Sequence, residues 1–253
     1  MKNKHILLMH GHEQEARHWE LLKSKIQAKF PNYKVHTLNI PGVGEWYLLN
    51  SFTSVRQNLY FIRDQWKKKF GQSIHNSDET IFIGESLGGM IGLEWATQFP
   101  KELSKLILIN TSIGGVCPIY ERYQFKNVFP FIKYLLTSDH RKKNEILYDL
   151  TQHDLQLKSK WVSNWNAISI DAPIHWKNTL KQLFAAIVFR DQKLNLEIPT
   201  LIISSTKDKF ISSKCSEKMA QYWGIKHHEH SSAGHHIYID DPTWLLDRWA
   251  EFI

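Results

Sequence analysis

Short apolar runs rich in β-branched residues recur along this chain, separated by longer segments with helical spacing. They are Ile6-Leu7-Leu8-Met9, Val35-His36-Thr37-Leu38, Thr80-Ile81-Phe82-Ile83, Leu106-Ile107-Leu108-Ile109 and Thr200-Leu201-Ile202-Ile203, each bounded by Gly, Pro, Asn or Asp. A strand that is apolar along its length, without alternation, has both faces covered. Residues 17–28, 54–70, 89–99 and 213–223 carry apolar side chains three and four apart, as covering helices do, and Pro100 ends the third. The alternation predicts an α/β chain with a mostly parallel sheet flanked by helices.

One stretch breaks this rhythm. Residues 116–193 offer helix-like pieces and no convincing buried strand, so they read as a helical cap, or lid, inserted into a core formed by residues 1–115 and 194–253. Phe125, Phe129, Phe131, Trp161, Trp165, Trp176, Phe184 and Phe189 fall within it. So do twelve Lys and Arg against seven Asp and Glu, most of the chain's excess of 32 basic over 25 acidic side chains. A solvated helical surface would look the same.

With 253 residues, 42% of them hydrophobic, the chain has enough apolar material for one sizeable core, which excludes intrinsic disorder. Its basic residues are dispersed, which argues against a dedicated nucleic-acid binder. Cys117 and Cys215 have no CxxC or Cys/His ligand spacing, so neither a disulfide framework nor a zinc site is expected. The four apolar residues 6–9 are too few for a signal-peptide core, and no run approaches a membrane span. The expected compartment is the cytoplasm.

Gly84-Glu85-Ser86-Leu87-Gly88 places a Gly-x-Ser-x-Gly pattern between a predicted strand and a predicted helix. A serine on that sharp corner is presented at the sheet edge, and the glycines keep Cβ atoms out of the neighbouring strand and helix. A phosphate-binding turn would need a P-loop lysine or a GxGxxG spacing, and both are missing. Serine needs a general base, and the base needs a carboxylate to hold its tautomer. Asp208 lies in the loop after the last clear strand, and His235 or His236 follows Gly234. Among fourteen histidines most of the others, such as His75, His140 and residues 227–230, are expected to be exposed. Asp240 and Asp241 are better placed to cap a final helix over residues 243–252. An oxyanion needs N–H donors, each worth about 3–4 kcal/mol where one has been removed. The candidates are the backbone amides of Leu87 and, after the first strand, His12. No carboxylate or cysteine pattern completes a metal site at His10, His12 and His18.

His10-Gly11, Pro41-Gly42-Val43-Gly44, Gly84-Glu85-Ser86-Leu87-Gly88-Gly89, Thr206-Lys207-Asp208 and Gly234-His235 together resemble the α/β-hydrolase fold superfamily, in its order and over nearly the whole chain. The resemblance implies an eight-stranded sheet, a helical lid after the sixth strand, and hydrolysis of an ester-like bond by Ser86, His235 and Asp208 without a cofactor. It selects His235 over His236. Serine at the elbow sets aside the dehalogenase and epoxide-hydrolase branches, which use Asp there. Lidded small carboxylesterases are nearest in style, among them enzymes acting on pimeloyl-acyl-carrier-protein methyl ester. The expected substrate is a small-molecule ester, with acyl-thioester hydrolysis and a non-catalytic binding protein as alternatives. An acidic acyl carrier protein would suit a basic lid, and the lid aromatics would wall the space above Ser86. The loop after Gly11 lacks the further glycine often found in the family. Glu85 stands where many relatives carry His, Trp or Asn, and its charge should raise the pKa of the neighbouring imidazole.

Overall fold

The computed structural model describes residues 3–70, 79–124, 127–190 and 195–253. In chain order its main elements are β1 (Lys4–Met9), α1 (Glu20–Lys29), β2 (Lys34–Thr37), α2 (Val55–Phe70), β3 (Glu79–Glu85), α3 (Leu87–Gln98) and β4 (Lys105–Ile109). Five helices follow: α4 (Ile119–Arg122), α5 (Val128–Leu136), α6 (His140–Thr151), α7 (Lys158–Asp171) and α8 (Trp176–Val188). The chain then returns to the sheet with β5 (Thr200–Ser205), α9 (Ser213–Trp223), β6 (Lys226–His230), α10 (Ile237–Asp240) and α11 (Pro242–Ala250).

The six strands form one parallel sheet in the order β2-β1-β3-β4-β5-β6. Parallel pairing puts every strand's carboxyl end on the same edge, where loops converge on a site. The register aligns those ends: Met9 pairs with Gly84, Glu85 with Ile109, Ile109 with Ile203, and Ser205 with His230. The residues that leave β1, β3, β4 and β5 are therefore neighbours.

Because successive strand residues face opposite ways, each strand feeds two cores. Ile6, Leu8, Ile81, Ile83, Ile107 and Ile109 face one of them, packed with Trp19, Tyr238 and Trp249. Leu7, Met9, Phe82, Leu106 and Leu108 face the other, with Trp66 and Trp95. Truncating one buried indole to Ala typically costs about 3–5 kcal/mol. Tyr148 of α6 and Trp161 and Trp165 of α7 belong to the first core, so these helices share their apolar packing with the sheet.

Several expectations are corrected here. The described residues contain six strands instead of eight. Every pairing in the sheet is parallel, each step between neighbours consumes a crossover, and apart from isolated bridges from Gly114 to Cys117 and Arg190 the remaining described backbone is helix, turn or loop. β2 and β6 are sheet edges and only half-buried, so the second apolar run is not doubly covered. Residues 227–230 form part of a strand: His227 Nε2 meets Ser204 Oγ at 2.8 Å, and the His230 ring packs edge-on against Trp244. Lys226-His227-His228-Glu229-His230 has no apolar residue to announce it. His75, Phe125 and the expected cap boundary at residue 193 lie outside the described residues. Cys117 and Cys215 are free and buried in one small cluster with Ile211.

Candidate active site

Ser86 occupies the corner between β3 and α3 with φ +51°, a value that L side chains adopt at a cost. The corner is closed by neighbours that leave no room for side chains. A Cβ on Gly84 would lie 2.4 Å from Gly88 O, and one on Gly88 would lie 2.5 Å from Met9 O. Ser86 N donates to Ile109 O at 2.9 Å, and Thr111 Oγ1 donates to Ser86 O at 2.7 Å. The strained residue is thus held from the adjacent strand.

Asp208 and His235 meet in the structure. His235 Nδ1 donates to Asp208 Oδ2 at 2.7 Å, while Asp208 Oδ1 accepts from the amides of Phe210 and Ile211 at 2.7 and 3.1 Å. Both side chains are buried. A carboxylate that only accepts fixes the ring proton on Nδ1 and leaves Nε2 as a base. Burial alone would depress the imidazole, but the Asp208 charge and hydrogen bond, with the Glu85 charge, outweigh it and raise its pKa above 6.5. Asp241 caps α11 by accepting from Trp244 N at 2.9 Å, and Asp240 accepts from Gly234 N at 2.6 Å. No hydrogen bond joins Ser86 Oγ to His235 in this structure. Their immediate neighbours are joined: His236 Nδ1 donates to Glu85 Oε2 at 2.9 Å, which brings both backbones to one edge.

That second imidazole–carboxylate pair continues into a relay. Gln14 Oε1 accepts from Gly11 N at 3.3 Å, and Gln14 Nε2 donates to His236 Nε2 at 3.1 Å and to Tyr238 Oη at 2.9 Å. The loop after β1 is thereby connected through His236 to the residue preceding Ser86. Asn110, at the end of β4, donates to His235 O at 2.6 Å and accepts from Ser205 N at 2.9 Å. These partners have no motif; sequence reading found Glu85 as a departure and missed Gln14, Asn110 and the role of His236.

Leu87 is the first residue of α3, so its amide has no intrahelical acceptor. Leu87, His12 and Ser86 line one cavity of about 340 Å³. Its walls are chiefly apolar and include Met90, Tyr123, Leu183 and Ile211. Of the described aromatics expected above Ser86, Phe131 alone lines it. Trp161, Trp165 and Phe189 are in the cores, and Phe129, Trp176 and Phe184 are exposed. Helical periodicity explains the outcome for the first pair, since Trp161 and Trp165 are four apart and share the buried face of α7. A larger depression of about 920 Å³ reaches Asp208 but none of Ser86, Leu87 or His12.

The segment between β4 and β5 reaches each converging loop. Thr151 O accepts from His235 N at 2.6 Å. Gln124 Nε2 donates to Asp208 O at 2.5 Å, and His153 Nε2 donates to Lys207 O at 2.8 Å. His12 Nε2 donates to Thr179 O at 2.9 Å, and Tyr134 Oη donates to Glu13 Oε2. Glu13 is buried with φ +63°, so that strained loop is tied down from α5 and α8. Arg122, itself buried, donates to the carbonyls of Ala186 and Ile187 at 2.7 and 3.0 Å and so closes the end of α8. His10 donates Nδ1–H to Gly11 O at 2.9 Å, and burial holds its pKa down at about 4. Among the described residues no cluster of His, Cys, Asp or Glu could hold a metal ion, and no helix is long and apolar enough to cross a membrane.

Solved structures share this arrangement of elements. A hydrolase from Pseudomonas aeruginosa superposes with a TM-score of 0.78 at 15% identity, covering 99% of this chain and 89% of its own. An enol-lactonase from Burkholderia xenovorans gives 0.75 at 17%, covering 100% and 92%. A lipase-esterase related protein from Clostridium acetobutylicum gives 0.76 at 16%, covering 100% and 95%. No curated protein matches the sequence. The sequence profile of the alpha/beta hydrolase fold matches residues 4–242. With that match spanning almost its entire length, the chain belongs to the alpha/beta hydrolase fold family.

Proposed function

We propose that this protein is a serine hydrolase that cleaves carboxylic esters of small or medium acyl groups. The observation that carries the reading is the Asp208–His235 hydrogen bond at the sheet edge where Ser86 sits on its strained corner above an apolar cavity. His235 Nε2 takes the Ser86 proton as Oγ attacks the ester carbonyl. The amides of Leu87 and His12 hold the oxyanion, and the imidazolium then protonates the leaving alcohol. Water repeats the sequence on the acyl-enzyme and releases the acid. The reading requires Ser86 Oγ to reach His235 Nε2 once substrate is bound; such contacts are often long in unliganded enzymes. The cavity accommodates the acyl group against Met90, Phe131 and Leu183.

Ser86→Ala should reduce kcat for a short p-nitrophenyl ester by about a millionfold and abolish labelling by an activated-serine probe. Activity retained in that variant would show that another residue is the nucleophile. Matched oxygen and sulfur esters would separate esterase from thioesterase preference, since both use the same groups.

A further inference from the structure

We propose that the surface around the mouth of the Ser86 cavity docks onto an anionic lipid layer, from which the ester enters the cavity directly. The inference rests on the ester-hydrolase reading and assigns its substrate to the class of acyl esters dissolved in or extracted from a bilayer. Single apolar residues on a surface need no explanation, but a contiguous set around a cavity does. Ile119 of α4, Val128 and Ile132 of α5, and Ile187 of α8 all line the cavity, yet each is 39–45% exposed, so they form its rim. Beyond the rim the same helices continue apolar. Phe129 and Leu136 of α5 are 82% and 80% exposed, and Phe184 of α8 is 53% exposed. No described residue covers them.

Charge decides what does. α5 and α8 contain no Asp or Glu; their charged side chains are Lys133, Lys177 and Lys181. Just past Leu136, α6 opens with His140-Arg141-Lys142-Lys143. Acids near by are engaged locally: Asp139 caps α6 by accepting from Lys142 N at 2.7 Å, Glu121 is paired with Lys218 at 2.5 Å, Glu145 with Arg141 at 3.4 Å, and Asp149 with Lys158 at 2.6 Å. An apolar face whose two main helices, α5 and α8, carry lysines and no acid fits a layer of anionic headgroups over hydrocarbon. A carrier protein would ask for charge at the centre of the contact, whereas here the centre is Phe, Leu, Ile and Val. The cavity opens within this same face, so an acyl chain moves from hydrocarbon to cavity without crossing water.

Sedimentation with vesicles of three parts phosphatidylcholine to one part phosphatidylglycerol tests the docking. The protein should pellet with them, less so with phosphatidylcholine alone, and release as salt rises. The double variant Phe129→Asp, Leu136→Asp changes two exposed side chains that do not line the cavity. It should lose at least tenfold in vesicle affinity and in turnover of a long-chain ester dissolved in the vesicles, with short soluble ester hydrolysis unchanged. No pelleting of the unaltered protein would overturn the proposal. So would a dimer in analytical ultracentrifugation that the double variant dissolves, or an acidic carrier protein bound through this face in place of lipid. Vesicle binding retained by a protein that turns over no soluble ester would uphold docking and sink the hydrolase reading instead.

Discussion

The carboxyl edge of the sheet and the helices between β4 and β5 contribute to the same site in different ways. Ser86, Asp208 and His235 all stand on loops that leave or follow sheet strands, and each sits within a recognisable local pattern. The helical segment adds none of these groups. It supplies a main-chain carbonyl to His235, a side-chain amide to the Asp208 carbonyl, and a phenol to the loop that bears His12. In the proposed reaction one region carries the reactive groups and the other fixes where they rest. Distances of a fraction of an ångström separate productive from idle arrangements, so the second contribution bears on rate as well as stability.

This division can be broken or sharpened by substitution. The largest effect after loss of Ser86 should come from Asp208→Asn, which keeps the shape but removes the charge that selects the His235 tautomer. A fall of about ten-thousandfold in kcat is expected, measured on a soluble ester. Asp241→Asn is the matched comparison, with kcat preserved and about 1 kcal/mol or less of stability lost at the α11 cap. Tyr134→Phe tests the helical side, because it leaves the buried Glu13 carboxylate without its phenol donor. It should cost about 1–3 kcal/mol in urea unfolding and, by loosening the His12 loop, about ten- to a hundredfold in kcat. Unchanged kcat with lowered stability would reduce the helical segment to a cover.

Glu85→Gln should have a small effect at neutral pH and a diagnostic one on the pH profile. The base must be deprotonated to act, so kcat/KM rises with pH through the His235 pKa, which lies above 6.5. Removing a nearby negative charge disfavours the imidazolium, so the acid limb should move to lower pH. A limb that stays in place would mean that Asp208 alone sets the imidazole.

What could be read from the chain follows from the same division. Continuous apolar runs identified β1, β3, β4 and β5 because burial on both faces leaves an unambiguous composition, and the corner at Ser86 was legible because only glycine fits at positions 84 and 88. β6 was hidden, since an edge strand of Lys, His and Glu has no hydrophobic signature. The aromatic residues of the helical segment were read as a wall over Ser86, yet helical phase turned Trp161 and Trp165 into the core. Thr151, Tyr134 and Asn110 could not be found at all. A residue that positions another through one hydrogen bond needs only a donor or acceptor at the right place in space, and dozens of side chains and every peptide unit satisfy that in one dimension.

The bond from His235 N to Thr151 O is of that kind, and it has a consequence for divergence. A carbonyl belongs to the backbone, so rewriting the side chains of α6 leaves this tether intact. The helical segment between β4 and β5 can therefore drift in composition without unhooking the imidazole. The sensitive partner lies across the contact at Gly234, where an added methyl would come within 2.3 Å of the same oxygen. Innovation is permitted on one side of the junction and forbidden on the other.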